Sequence, residues 1–247
     1  MSTILSKSLR VGVAAAIIVT IVPAGQAFAE TTPGPSTAAS AAPPGMATQV
    51  NKSTPGFDAF RKAWDGVTNY TEMITAHEIT NDGKSSQDRT YDYKFVKPTA
   101  ALIAITGGPG RGGGASWHGG SNVKGHQGGF LSMIKLNIPK NDPRATSLRG
   151  DQIEVASFGY ELDHFGSTPG TLTESKDAAG DIVVMFVPTS PEGSGITKEL
   201  LTLSPANNLP VKHEAFVGAT RVKIETFSNI KVNDPKLTAK DIARLDV

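Results

Sequence analysis

From "YTEMITAHEI" (70–79) onward the chain repeats one pattern, β-prone runs of six to fourteen residues separated by turn chemistry. This constrains the fold more than any other feature, because parallel strands need crossovers of a dozen or more residues and antiparallel ones need only a turn. The first run leads into Asn81-Asp82-Gly83, a hairpin signal. The next, "DRTYDYKFVK", places Tyr91, Tyr93 and Phe95 on one face by alternation. After Pro98 comes "ALIAIT", and later "TLTESK", "DIVVMFV", "TKELLTLS", "LPVKHEAFV" and "TRVKIETFSNIKVN". The expectation is a mainly β (α+β) protein, with a curled antiparallel sheet of about 9–11 strands. A sheet that long must curl, so it forms an incomplete β-barrel with a few helices on its concave side.

Three segments read as those helices. In "FDAFRKAWDGVTNY" the residues Phe57, Phe60, Trp64 and Val67 recur at helical spacing, and in "IEVASFGYELDHF" Val155, Phe158, Leu162 and Phe165 do so. "LTAKDIARL" begins with Thr238 as N-cap.

The stretch 107–129, "GGPGRGGGASWHGGSNVKGHQGG", holds eleven glycines and two histidines and invites a catalytic reading. A phosphate loop requires Gly-Lys-Ser/Thr between a strand and a helix, and that triplet is missing. Ser116 fails the Gly-x-Ser-x-Gly pattern at its last position, and Ser121-Asn122-Val123-Lys124 matches Ser-x-x-Lys by letters alone. His118 and His126 lack partners for zinc, since the chain has no cysteine and His77, His164 and His213 fall on other elements. "ASWH" and "NVKGH" around "GGSN" instead predict a hairpin. No catalytic, metal or cofactor site is expected.

The flanks assign the compartment. Lys7 and Arg10, the apolar run Val11 to Val22, and Ala27-Phe28-Ala29 read as a signal peptide over 1–29, cleaved after Ala29. Residues 30–55 are dominated by Ala, Pro, Ser, Thr and Gly and read as a disordered linker, leaving 56–247 as one domain. Without the signal the chain carries 22 basic and 23 acidic residues, a balance that argues against nucleic acid as partner. The expected product is an exported monomer, periplasmic or extracellular, held by its core without disulfides.

A signal peptide, a helix, "YTEMITAHEITNDGK", a strand ending in "FVKP", "ASWHGGSNVKGH", a helical middle and closing strands through "LPVKHEAF" and "IETFSNIKVN" together resemble the LolA-like periplasmic carrier superfamily. The resemblance covers most of 56–247. It implies a half-barrel whose apolar cavity shields the acyl chain of a lipid or lipoprotein, with an inner-membrane donor and an envelope acceptor as partners. Each exposed methylene costs about 0.8 kcal/mol, so aqueous transit requires an apolar lining. Candidates for that lining are Tyr91, Tyr93, Phe95, Leu102, Ile103, Val183, Met185 and Val187. The resemblance also implies a lid latch at Lys97, where the lipoprotein carriers have an arginine; lysine offers a point charge in place of a planar fork.

Three readings of function follow. The first is a non-enzymatic carrier or sensor of an amphiphile. The second is an envelope protein-binding or structural module whose cavity is filled by its own side chains. The third is a hydrolase using Ser116, His118 and His126.

Overall fold

The computed structural model describes residues 51–243. The expected signal peptide, its cleavage site and most of the expected linker lie outside those residues. Residues 51–55, the end of that linker, are bonded into the fold: Leu172 N donates to Asn51 O at 2.8 Å, and Lys52 Nζ donates to the carbonyl of Thr168.

The first helix, α1 (Pro55–Asp65), starts where the sequence supplies a start signal. Thr54 Oγ1 accepts from Phe57 N at 3.2 Å, Pro55 sits in the first turn, and Asp58 lies near the positive end of the helix. Phe57, Phe60 and Trp64 form its buried stripe, as their spacing predicts. The chain then enters β1 (Asn69–Ile79), which pairs residue for residue with β2 (Ser86–Val96), from Asn69 opposite Val96 to Ile79 opposite Ser86.

Nine further strands follow: β3 (Ala100–Gly107), β4 (Gly114–His118), β5 (Asn122–His126), β6 (Leu136–Pro139), β7 (Gly170–Lys176), β8 (Ile182–Pro188), β9 (Lys198–Leu203), β10 (Pro210–Val217) and β11 (Thr220–Val232). They make one antiparallel sheet in the order β6-β5-β4-β3-β2-β1-β11-β10-β9-β8-β7. The sheet does not close, since β6 and β7 each have a single neighbour. An eleven-stranded, unclosed, curled sheet with few helices is an incomplete barrel.

The glycine-rich stretch forms the β4–β5 hairpin. Its turn carries Gly119 and Gly120 at φ of +83° and +82°, which a residue with a Cβ rarely adopts. Strand β6 has no counterpart in the sequence reading. At four residues it is too short to show an alternation.

The expected middle helix is split. A 3₁₀ turn spans Ile153–Ala156, and α2 (Phe158–Ser167) begins at Ser157, whose side chain accepts from Tyr160 N. Helix α2 lies with α1 on the inner face of the sheet. Phe158 stacks on Tyr70 (centroids 4.6 Å apart, planes 3° from parallel), and Phe165 stacks on Phe186 at 5.2 Å. The short α3 (Ala239–Ala243) covers the opposite face, where Ile242 packs on Ala100 and Leu102.

Candidate functional site

Alternation and register determine which side chains reach the inner face. Pairing aligns Tyr70 with Phe95, Glu72 with Tyr93 and Ile74 with Tyr91 across β1 and β2, and Phe95, Tyr93 and Tyr91 with Ala101, Ile103 and Ile105 across β2 and β3. Half of this face is filled by the protein itself. Tyr93 is fully buried with its hydroxyl donating to Ile153 O at 3.3 Å, and Phe95 packs on Trp64 and Tyr70.

The other half is hollow. A cavity of about 410 Å³ lies between the sheet and the segment that runs from Pro143 to Ala156. Ile74, Ala76, Tyr91, Ile103, Ile105 and Ile153 give it an apolar wall, while Glu78, Arg89, Asp151, Lys223 and Glu225 give it a charged one. The covering segment is tied down at three points. Leu148 N donates to Glu78 Oε2 at 2.9 Å, Arg149 reaches Ile79 O and Ser194 O at 2.6 and 3.1 Å, and Lys223 Nζ donates to Asp151 Oδ2 at 2.8 Å.

The eight expected lining residues therefore divide. Tyr91 and Ile103 line this cavity. Tyr93 belongs to the packed core, and Phe95 turns toward a second, more open recess of about 460 Å³ beside Trp64 and Tyr160. Leu102 points away, because it alternates with Ala101 and Ile103 and packs under α3. Val183, Met185 and Val187 lie on the other parity of β8, whose inner residues are Val184 and Phe186, and Val187 is 41% exposed. "DIVVMFV" is apolar at both parities, so alternation did not reveal which parity faces inward.

Lys97 lies outside the first cavity and lines the second recess. Its ammonium donates to Trp64 O at 2.6 Å and sits 4.1 Å from the centre of the Trp64 ring, at the carbonyl-rich end of α1. It contacts that helix end, whereas Arg149 holds the covering segment.

Ser116, His118 and His126 share no hydrogen bond. Ser116 Oγ donates to Lys124 O, His126 Nδ1 bonds to the adjacent Gln127 O, and His118 is exposed.

The sequence reading missed a buried network of charged residues beside the cavity. His213 on β10, Lys223 and Glu225 on β11, Glu199 on β9 and Glu161 on α2 are all nearly inaccessible to solvent. Glu199 receives His164 Nε2 on Oε1 and His213 Nε2 on Oε2, both at 2.8 Å. Burial opposes the charge on Glu199, but these two imidazoles outweigh it and hold the carboxyl far below the usual range. Burial likewise opposes the charges on His213 and Lys223, and the surrounding carboxylates keep both protonated well above their ordinary values. Glu225 is pulled down to about 2, against its burial, by Lys223 and His213. Glu72 has no such partner. Burial and the nearby Glu225 push it well up, and neither of its oxygens accepts a hydrogen bond.

One signal was available. In "RVKIETF" one parity reads Val-Ile-Thr and the other Arg-Lys-Glu-Phe, so an apolar-inward rule buries the wrong set. Lys223 and Glu225 face inward because each meets an opposite charge from another element.

Fold and site together define an open-barrel protein with a small pocket that is apolar on one side and charged on the other. Neither a protein-family model nor a curated protein sequence matches the chain. Solved structures are similar to it. A DUF1329 family protein from Desulfovibrio piger is 12% identical, with a TM-score of 0.43, over 78% of this chain and 98% of that one. A putative outer membrane lipoprotein-sorting protein domain from Vibrio parahaemolyticus is 14% identical, with a TM-score of 0.41, over 76% and 95%. A LolA superfamily protein from Nitrosomonas europaea is 13% identical, with a TM-score of 0.39, over 77% and 98%. All three likenesses are remote, and the chemistry of this chain rests on its own residues. Among the described residues no helix is long and apolar enough to cross a membrane.

Proposed function

We propose that the chain is an exported, non-enzymatic carrier or sensor that holds the acyl chain of a lipid or lipoprotein in the inner-face cavity. The observation that carries this reading is the pairing of the apolar wall, Ile74, Tyr91, Ile103 and Ile105, with a charged wall at Arg89, Lys223 and Glu225. A hydrocarbon tail gains by leaving water against the first, and a polar head finds partners at the second.

Binding of a fluorescent fatty-acyl probe tests it. The wild type should bind at micromolar concentration, about −8 kcal/mol. Ile103→Asp should abolish binding while circular dichroism is retained, because it places an unpaired carboxylate on the apolar wall. Val187→Asp, on the outer face, should bind as the wild type does. A wild type that binds no amphiphile, or an Ile103→Asp that binds unchanged, overturns the reading.

A second reading has one observation in its favour. Tyr93, Phe95, Tyr70 and Phe158 already fill half of the inner face, as in a structural or protein-binding module with a self-filled core. Absence of probe binding would leave that reading in place.

A further inference from the structure

We propose that Glu161, His213 and Glu225 form a binding site for one first-row divalent transition-metal ion such as Zn²⁺, with Glu199 as the outer carboxylate that orients His213. The three residues come from three elements, α2, β10 and β11, and their ligand atoms lie within 4.8 Å of one another. His213 Nδ1 is 3.1 Å from Glu161 Oε1 and 3.6 Å from Glu225 Oε2. Ligands about 2.0–2.1 Å from a tetrahedral ion stand about 3.3 Å apart, which these separations bracket.

The direction of approach separates a metal from a proton. His213 Nδ1 has Glu161 and Glu225 as ion-pair partners, yet makes an aligned hydrogen bond to neither. A proton requires its acceptor in line with the ring nitrogen, whereas an ion takes that line itself and leaves its other ligands off it. Glu161 Oε2, in the same cluster, is also buried without a partner. Both residues are more than nine-tenths buried, at 4% and 3% exposure, so water does not supply the missing bonds.

The other nitrogen of His213 completes the pattern. Nε2 meets Glu199 Oε2 at 2.8 Å, so an ion that displaces the Nδ1 proton of the metal-free imidazolium leaves the other proton on Nε2, shared with Glu199, and meets the Nδ1 lone pair. Glu199 is in turn held by His164. Charge favours a cation: Glu161, Glu199 and Glu225 all face His213, and Lys223 is shared between Asp151 at 2.8 Å and Glu225 at 3.1 Å. One nitrogen with carboxylate oxygens suits a zinc-like ion better than Ca²⁺ or Mg²⁺, which take oxygen ligands alone. Glu225 also lines the cavity, which gives the ion a route from solvent.

Equilibrium dialysis of the chelator-stripped full chain against Zn²⁺, read by elemental analysis, tests the site. We expect one ion per chain in the wild type and in the double variant His118→Ala, His126→Ala, which removes the two imidazoles of the β4–β5 hairpin. Glu161→Gln and His213→Gln should lose uptake, and Glu199→Gln should weaken it about 10–100-fold, as outer-shell changes do. Should a variant fail to fold, the wild type still decides: in a long-range ¹H–¹⁵N spectrum the Nδ1 resonance of His213 must shift with stoichiometric Zn²⁺. No uptake at 100-fold excess, uptake abolished by the His118, His126 double change, or an unmoved His213 resonance each overturns the site. Amphiphile binding is read separately, so failure of either proposal leaves the other intact.

Discussion

Arg149 donates from Nη1 to the carbonyl oxygen of Ile79 over 2.6 Å, joining the segment that covers the cavity to the end of β1. Its Nη2 spans to Ser194 O at 3.1 Å, so one planar side chain fixes three parts of the chain. Arg149→Ala should cost about 1.5–3 kcal/mol, the range for hydrogen bonds to charged groups. The amide of Leu148 should exchange faster, since it is bonded next door to Glu78. Arg149→Lys should recover little, because a single ammonium does not reach both carbonyls. Denaturant melts and amide exchange check the three outcomes.

Lys97 should behave differently. Its contacts are with Trp64, through a hydrogen bond and the ring face, and it does not line the cavity. Lys97→Ala is expected to lower stability by about 1 kcal/mol and to leave probe affinity unchanged. A tenfold change in affinity at constant stability would restore the latch suggested by its sequence position.

Glu72 makes stability depend on pH. Its folded pKa is raised by burial, first, and by Glu225, so the folded state holds a proton that the unfolded state releases near the ordinary value of about 4.3. Stability is therefore fully present below that value and falls as pH rises toward the folded pKa. Glu72→Gln should match the wild type near pH 4 and exceed it at pH 8, by about 2–4 °C in Tm for each kcal/mol relieved. Thermal melts across that range test the sign.

Gly159 faces the ring of Trp64. A Cβ built there would lie 2.9 Å from Trp64 Cζ2, and the ring is hemmed in by Tyr70 and Phe95, each with centroids at 5.9 Å. Gly159→Ala gains up to about 1 kcal/mol of helix propensity but meets an overpacking cost of about 1–3 kcal/mol. A net loss is expected in chemical denaturation. A more stable variant would mean that the ring yields.

Elements with a local physical signature were legible in the sequence. The stripe Phe57, Phe60, Trp64 marks α1, Asn81-Asp82-Gly83 marks the β1–β2 turn, and the strand runs from "DRTYDYKFVK" to "TRVKIETFSNIKVN" fall on β2 to β11 apart from β6. Side-chain direction was legible only where a strand alternates. Tyr91 and Ile103 reach the cavity, while Val183, Met185 and Val187 do not, because β8 is apolar on both faces. The charged cluster was least legible. Glu161 and His164 sit one turn apart on α2, but Glu199 and His213 join them only because α2 lies across β9 and β10, a tertiary fact that no spacing encodes.

The strand order has a consequence for how the chain assembles. Every hydrogen-bonded neighbour in the sheet is also a neighbour in sequence except β1 and β11, which pair Tyr70 with Val232 and Glu78 with Lys223. Two meanders, β1 to β6 and β7 to β11, thus need only short loops to close, and one long-range seam unites them. That seam carries the largest entropic cost of closure, so it is expected to zip last and to set the folding rate. A chain cut between Pro139 and Gly170 should therefore yield two fragments that find each other through β1 and β11 and recover the native near-ultraviolet signal when mixed.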